Sequence, residues 1–415
     1  MNRALTTLTF AALSCAALVA LPSAGVAQPR ARSAQDVGHN DAVIGWNRFL
    51  LGLQATPGAQ PATVHPTYEL AIMHAAIYDA AVAVNAASAE AAADTAAHDT
   101  LVVLYPSQQA AIDQQYANAL AAVAPGPGRA RGVHVGQKVA QQVLRARAND
   151  GSQAAPLPFT PGTNPGDYQL TPPAFAPPQF THWGLVKPFA LRTPAQFRPP
   201  APPALNSPKS LAALEEVKAL GSATGSTRTA DQTQIGLFWN PPIWATWNRI
   251  AQTAALGHAG NLVTDARTFA ALDVTFADAA IAYYDAKYTY RLWRPVTAIR
   301  ATSDPAWTPL SNTAPDPSYP GAHATISAAG ADVLGAIYGN DFAFSADSTA
   351  LPGVTRTFVS FTEAAEEASV SRIYNGNHTR VDQVAGENLG HNVAQYVIGH
   401  PHGGAFTERV SPQQP

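Results

Sequence analysis

The chain of 415 residues has little cysteine, little methionine and little charge. Its one cysteine is Cys15, its methionines are Met1 and Met73, and only 13% of its side chains are charged. One cysteine cannot form an intramolecular disulfide, and a formal net charge of -3 argues against a general binder of nucleic acid or membrane surfaces. In so charge-poor a sequence, a local group of Lys and Arg side chains indicates a specific role.

Long apolar runs are missing after the N-terminus. No later stretch reaches the roughly 18 to 20 apolar residues of a membrane-spanning helix. Residues 1–27 have the pattern of a secretory signal peptide, with the positive charge of Arg3, an apolar run from Ala4 to Leu21, and small residues at the end. We therefore expect a secreted or periplasmic bacterial protein whose mature form lacks Cys15 and any other thiol.

Helical periodicity recurs through most of the chain and strand patterns are weak, which predicts an all-α fold. Residues 155–208 are rich in proline and lack periodicity, which predicts a long loop that wraps on the protein body. This loop separates an N-terminal helical half with its Pro-rich connector, residues 28–205, from a C-terminal helical bundle, residues 206–415. Helices are predicted at residues 43–53, 68–84, 107–123, 129–147, 210–220, 244–256, 264–288, 323–338, 358–370 and 378–398.

One short segment combines a cation, an imidazole and a carboxylate. His378 and Asp382 are four residues apart, so on a helix they lie on one face, one turn from each other. Asp382 can then accept the proton of one ring nitrogen, which leaves the other nitrogen as a base, a nucleophile or a ligand. Arg372 offers a planar fork of donors to an oxyanion, and Gly376 allows a sharp turn between the two.

A second segment carries two cations seven residues apart, Lys287 and Arg294. If the helix continues between them, both point the same way, and Pro295 ends or kinks the helix. Such a pair fits an anion clamp. The alternative is a solvated helix end that interacts favourably with the helix dipole.

A third segment, residues 315–323, is a rigid turn that leads into a helix. Backbone N–H groups at a helix start bind oxyanions, and the small residues Gly321 and Ala322 allow an anion to approach the backbone. His323 beside that anion can act as a general acid or base. Taken alone, His323 is better explained as an ordinary residue at a helix start.

The three segments together resemble a known family. The pattern K-x6-RP, then P-x-x-H, then SR-x5-H-x3-D is similar in order and spacing to the vanadium-dependent haloperoxidases and the type 2 phosphatidic acid phosphatases. Residues 73–80 and 182–184 resemble the soluble, secreted haloperoxidase branch. One departure is clear: the family usually has Pro-Ser-Gly-His where this chain has Pro320-Gly321-Ala322-His323. A serine hydroxyl that would touch an equatorial oxygen of the anion is thus missing, which weakens binding by about 1 kcal/mol.

The resemblance implies two helical bundles, with the site in the C-terminal one, and orthovanadate as the cofactor. His378 would be the axial vanadium ligand, supported by Asp382, and His323 would bond the opposite apical oxygen and manage protons. Hydrogen peroxide would then oxidise bromide or chloride to hypohalous acid, which acts on a small organic acceptor. The remaining oxygens of vanadate would be held by Lys287, Arg294, Gly321, Ala322 and Arg372.

Two other functions use the same residues. In a secreted acid phosphatase, which needs no vanadate, His378 would attack the phosphorus of a phosphate ester, Asp382 would orient it, and His323 would protonate the leaving group. A non-catalytic oxyanion-binding protein is the further alternative, motivated by the changed Gly321-Ala322 pair. The soluble character and the long N-terminal half favour the peroxidase. Neither a nucleic-acid partner nor a membrane partner is expected.

Overall fold

The computed structural model describes residues 42–258 and 260–400. These residues form thirteen α-helices and one antiparallel hairpin, so the all-α prediction is confirmed. The predicted signal peptide and Cys15 lie outside the described residues, and export stays a prediction. The elements are α1 (Ala42–Ala55), α2 (Pro66–Val82), α3 (Ala86–Leu104), α4 (Gln109–Ala122), α5 (Pro127–Arg147), α6 (Pro208–Gly221), α7 (Ala230–Phe238), α8 (Ile243–Gly257), α9 (Leu262–Tyr290), α10 (Pro295–Thr302), α11 (Ala322–Tyr338), β1 (Phe344–Ser348), β2 (Leu351–Phe358), α12 (Phe361–Tyr374) and α13 (Arg380–Gly399).

Each predicted helix overlaps an observed one, but the sequence does not predict α3, α7, α10 or the hairpin. Helix α3 is rich in alanine, which favours helix formation but gives no contrast between apolar and polar faces. Helices α7 and α10 have nine and eight residues, too few for a periodic pattern to be recognised. These elements are therefore fixed by propensity and by packing rather than by amphipathic spacing.

Helix α9 is the longest helix of the described residues, and most of its 29 residues are buried. It begins at Asn261, whose side chain accepts from the N–H groups of Val263 and Thr264 at 3.0 Å each. The sequence predicts that this helix starts at residue 264. Thr264 instead completes a capping box, because its hydroxyl accepts the Asn261 N–H at 2.7 Å.

Glycines allow two helix pairs to approach closely. An ideal Cβ on Gly132 of α5 would lie 2.4 Å from Ser88 O of α3. On Gly390 of α13 it would lie 2.2 Å from Thr325 O of α11. Both distances are too short for any side chain, so each glycine sits at a backbone contact. The second pair packs the middle of α13 against the start of α11, where His323 lies.

The buried carboxylate of Asp278 in α9 binds the backbone of the Pro-rich connector. Asp278 Oδ1 accepts from Phe189 N–H at 2.6 Å, and Oδ2 accepts from Ala190 N–H at 2.7 Å and Leu191 N–H at 2.8 Å. Asp278 is fully buried. A segment without regular structure thus has its backbone donors satisfied by a side chain of the central helix.

The two halves share one hydrophobic core. Its largest cluster contains Trp46 of α1, Trp183 of the connector, Trp247 of α8 and Phe276 of α9. The predicted domain boundary between residues 205 and 206 remains a prediction. No helix in residues 42–258 and 260–400 combines the length and apolar composition needed to cross a membrane.

Candidate functional site

The predicted histidine and two of the predicted cations meet in a buried region of the C-terminal half. Arg294 Nη1 donates to the Asn377 carbonyl and to His378 Nε2, at 3.0 Å each. A guanidinium only donates, so Nε2 is an acceptor and the ring proton is assigned to Nδ1. Lys287 and Arg294 also converge on one carboxylate, that of Asp316.

Asp316 lies between the two cations. Its Oδ1 accepts from Lys287 Nζ at 3.1 Å and from Arg294 Nη2, and its carbonyl accepts from Arg294 Nε at 2.8 Å. Lys287 Nζ further donates to Pro317 O and, at 3.3 Å, to Ser318 O. The segment before α11 is thereby fixed onto the two cations, and one of their positive charges is neutralised inside the protein.

The helix does not continue from Lys287 to Arg294, although the predicted anion clamp assumed one continuous helix between these two residues. Arg291 adopts the left-handed conformation (φ 51°, ψ 36°) and ends α9. Pro295 starts α10, with Arg294 as its N-cap, where a proline loses no hydrogen bond. The cations come together through this turn and through Asp316, and not through the shared face of one helix.

His378 and Asp382 do not share a helical turn either. His378 precedes the N-cap residue Thr379, and Asp382 is the third residue of α13, where its Oδ2 accepts the Thr379 N–H at 2.7 Å. The His378 Nδ1 to Asp382 Oδ2 distance is 3.5 Å. Gly376, with φ of 85°, makes the turn that returns the chain to this position, as its place in the motif predicts.

Arg372 reaches the site from the end of α12. Its Nη1 donates to Asn240 Oδ1 at 3.2 Å, whereas its buried Nε has no hydrogen-bond partner in the described residues. Burial and the charge of Arg294 lower the pKa of Arg372 to about 9. A buried donor without an acceptor, in a group crowded by like charge, is the arrangement that an anion would complete.

His323 lies at the start of α11 and remains partly exposed. Its Nε2 donates to the Trp239 carbonyl, with 3.1 Å between the two atoms, so the lone pair is on Nδ1. Partial desolvation and the charge of Arg372 lower the pKa of His323 well below its usual value. The ring is therefore neutral at physiological pH, and its Nδ1 lone pair can accept a hydrogen bond.

The pKa values of Lys287, Asp316 and His378 are all lower than usual in this site, for different reasons. Burial, only partly offset by Asp316, lowers the pKa of Lys287 to about 8. Burial opposes ionisation of Asp316, but Lys287 and Arg294 outweigh it and hold the pKa at about 2. Burial and the charge of Arg294 also lower the pKa of His378 well below its usual value. At neutral pH the site therefore has a surplus of positive charge around a neutral imidazole.

Gly321 has no room for a side chain because Gln383 occupies the space beside it. An ideal Cβ on residue 321 would lie 2.0 Å from Gln383 Oε1. Gln383 is fully buried, and its Nε2 donates to Ser369 O at 2.6 Å, which fixes the amide. The Gly321 N–H donates to Asp382 O at 2.9 Å, whereas the Ala322 N–H, in the first turn of α11, has no acceptor within the helix. The serine of the related pattern is thus replaced by a glycine and a buried glutamine.

This contact makes a prediction for the Gly321→Ser variant. The new side chain displaces the Gln383 amide from Ser369 and is expected to lower the free energy of unfolding by about 1–3 kcal/mol. Combining it with Gln383→Ala removes the clash, so the double variant should be at least about 0.5 kcal/mol more stable than the two single effects predict. Denaturant unfolding of the three variants measures this coupling.

Gly335→Ser in the same helix α11 is the matched control. There, the nearest atom to an added Cβ is 3.7 Å away. This variant should keep the unfolding free energy of the parent within about 0.5 kcal/mol. Additive effects of Gly321→Ser and Gln383→Ala would show that Gln383 does not exclude a side chain at position 321.

Four residues of the site are not assigned by the sequence: Asp316, Ser318, Asn240 and Gln383. Asp316 has a local signal, since it is a lone acidic residue in the rigid turn before His323. The other three have none, because each reaches its partner from a distant part of the chain. Ser318 is 60 residues from His378 and Asn240 is 132 residues from Arg372.

The donors of the site fit an oxyanion. Lys287, Arg294 and Arg372 provide positive charge, Arg372 Nε and the first turn of α11 provide N–H donors, and His378 provides a lone pair. Residues 42–258 and 260–400 contain no group of three or more His, Cys, Asp and Glu side chains that could hold a metal cation. Fold and site together define a helical-bundle protein with a buried, cation-rich oxyanion site.

Comparison with known proteins agrees with this class. A family model described as the VCPO second helical-bundle domain matches residues 267–403. Vanadium chloroperoxidase from Curvularia inaequalis is 27% identical over a region that covers 41% of this chain and 40% of that protein. The chain thus aligns with less than half the length of this curated relative.

Solved structures match over most of the chain. The crystal structure of a bacterial vanadium-dependent iodoperoxidase has a TM-score of 0.76 and 25% identity, and the match covers 87% of this chain and 95% of that one. A holo-type bacterial vanadium-dependent chloroperoxidase has a TM-score of 0.65 over 92% of this chain and 97% of that one, and its 14% identity supports the fold alone. The chain is thus similar to vanadium-dependent haloperoxidases in sequence over residues 267–403 and in fold over most of its length.

Proposed function

We propose that this protein is a vanadate-dependent haloperoxidase, which converts hydrogen peroxide, a halide ion and a proton to hypohalous acid and water. The observation that carries the proposal is the neutral His378, with its Nε2 lone pair facing Arg294 inside a buried set of three cations. The relatives named chloroperoxidase and iodoperoxidase support this choice of reaction. Bromide or chloride is the expected halide, and iodide is included in the assay because of the second relative.

The chain's residues fit vanadate as the cofactor. Arg372 Nε has no protein acceptor, and an anion beside it would also offset the burial and like charge that lower the pKa values of Lys287 and Arg372. Arg294 and the Ala322 N–H complete the donor set. Vanadate, when bound, supplies a Lewis-acidic centre that activates hydrogen peroxide. The same donors accept phosphate, so phosphate is expected to compete.

The two histidines have different roles in this proposal. His378 would hold the oxyanion through its Nε2 lone pair, because its proton is on Nδ1, and Asp382 lies on the proton-bearing side of the ring. His323 has its lone pair on Nδ1 and its proton fixed by the Trp239 carbonyl. It would accept a proton from hydrogen peroxide at Nδ1 and give that proton back to the water that is formed.

The test uses the purified protein after removal of bound anions with chelator at acidic pH. Bromination of monochlorodimedone is followed with hydrogen peroxide and bromide, chloride or iodide, before and after orthovanadate is added. We expect turnover that requires vanadate and is suppressed by phosphate. Hydrolysis of p-nitrophenyl phosphate is measured in parallel on the vanadate-free protein.

The outcomes separate the three functions. Vanadate-dependent halogenation supports the peroxidase. Absence of halogenation together with vanadate-inhibited ester hydrolysis overturns it in favour of the phosphatase, in which Nε2 of His378 attacks phosphorus. Tight vanadate binding without either activity overturns it in favour of an oxyanion-binding protein without turnover.

A further inference from the structure

Ser318 lies between the two members of the His378–Asp382 pair. Its Oγ is 2.8 Å from Asp382 Oδ2 and 3.4 Å from His378 Nδ1. The direct distance from His378 Nδ1 to Asp382 Oδ2 is 3.5 Å, so both contacts of Nδ1 are longer than the 2.7–3.2 Å of an ordinary N–H···O bond. Of the two, only the contact with Ser318 Oγ has hydrogen-bond geometry. All three side chains are buried, with exposures of 1% for Ser318, 3% for His378 and 0% for Asp382.

The direction of these hydrogen bonds follows from the donors that surround them. Asp382 Oδ2 already accepts the Thr379 N–H at 2.7 Å and the Ser318 hydroxyl at 2.8 Å, which uses both of its lone pairs. The Arg294 guanidinium donates to His378 Nε2, so the ring proton is on Nδ1. That proton therefore faces the oxygen of Ser318, and the Ser318 hydroxyl donates its own hydrogen bond to Asp382.

The backbone holds Ser318 at this place. Its N–H donates to Leu292 O at 2.9 Å, and its carbonyl accepts from Lys287 Nζ at 3.3 Å. Two residues earlier, Asp316 is bound by Lys287 and Arg294. The hydroxyl is thus positioned by the same contacts that assemble the cations of the site.

We propose that Ser318 is a positioning residue that connects His378 Nδ1–H to Asp382 and so keeps the Nε2 lone pair directed at the oxyanion. This inference deepens the proposed function and rests on it for its catalytic meaning. The hydrogen-bond chain itself does not depend on which reaction the site performs. It places a neutral hydroxyl, and not a carboxylate, next to the imidazole, and a neutral partner stabilises the imidazolium less than a direct carboxylate does.

The Ser318→Ala variant tests the relay. Without the hydroxyl, the His378 ring loses its orienting partner, and we expect vanadate affinity to fall by about 10-fold to 100-fold. Asp382 can then approach Nδ1 directly and favour the charged imidazole. Because only the neutral ring binds through Nε2, the pH below which vanadate affinity is lost should move upward. Both quantities are measured by equilibrium vanadate titration across pH, without turnover.

One further measurement and two further variants keep the test independent of activity. Histidine ¹⁵N NMR should report the Nδ1–H form of His378 in the parent and a mixed or charged ring in Ser318→Ala. Ser318→Thr keeps the hydroxyl and is expected to restore affinity and the Nδ1–H signal. Ser88→Ala, which removes a buried hydroxyl without a protein partner in the described residues, is the matched control and should change none of these quantities.

The results distinguish failure of the relay from failure of the proposed function. If Ser318→Ala has the affinity, acid limb and NMR signal of the parent, the relay is wrong even when halogenation is observed. If the parent does not halogenate but Ser318→Ala changes the His378 tautomer, the relay stands and the peroxidase proposal fails. A thermal unfolding curve of each variant excludes loss of the fold as the cause.

Discussion

Replacing His378 by alanine is expected to abolish halogenation and ester hydrolysis, with a loss of about a thousandfold or more in kcat/KM. His323, the other neutral imidazole of the site, has its Nε2 bound to the Trp239 carbonyl and serves proton transfer in the proposed function, so it does not replace His378 as the ligand. The variant should also lose productive oxyanion binding. The measurement is a vanadate titration combined with the monochlorodimedone and p-nitrophenyl phosphate assays.

Two other histidine variants are compared with His378→Ala. His391→Ala removes a half-exposed histidine of α13 that pairs with Asp332 at 2.8 Å, and it should retain full activity. His323→Ala should retain bound vanadate but have little turnover, because it removes a proton carrier and leaves the cations in place. Full activity of His378→Ala would refute the assignment of the whole site.

Replacing Asp278 by alanine is expected to have the largest effect on stability. The variant leaves the buried N–H groups of Phe189, Ala190 and Leu191 without an acceptor, and each such group costs about 1–3 kcal/mol. We expect the free energy of unfolding to fall by about 4 kcal/mol or more. Denaturant unfolding, with hydrogen exchange at these three amides, measures the change.

Asp285→Ala, in the same helix, is the control for Asp278→Ala. Asp285 pairs with Arg198 through two bonds of 2.6 and 2.7 Å near the surface, and such a pair contributes about 1 kcal/mol or less. Asp278→Asn keeps one acceptor oxygen and should fall between the two variants. Equal losses for Asp278→Ala and Asp285→Ala would mean that the connector does not depend on its anchor.

The sequence predicts the elements whose signal is local. The amphipathic helices are recognised because their apolar residues recur at helical spacing, and α8 is a clear case. The Ala-rich α3 escapes recognition because a helix buried among other helices by small residues has no polar face to contrast. The turn at Gly376 is also local, since only a few residues separate Arg372 from His378.

The same division applies to the candidate site. Lys287, Arg294, Arg372 and His378 are recognisable as one set because their types and spacings form three short motifs. The motifs do not predict that Arg291 breaks the helix between the first two cations. Nor do they predict that His378 lies outside α13. Asp382 instead accepts the backbone N–H of Thr379 in a capping box, so this carboxylate oxygen is not used for a pair with His378 on one face of the helix.

The sequence by itself determined which chemical groups are present in an all-helical protein, and it predicts that they form an oxyanion site. Only the tertiary structure decided how those groups are paired: Asp316 binds two cations, Gln383 occupies the space beside Gly321, and Ser318 separates His378 from Asp382. The physical reason is the distance along the chain between the residues that interact. Spacing along a helix or turn fixes neighbours within a few residues, whereas hydrogen bonds in a buried site depend on the packing of elements that are far apart in the chain.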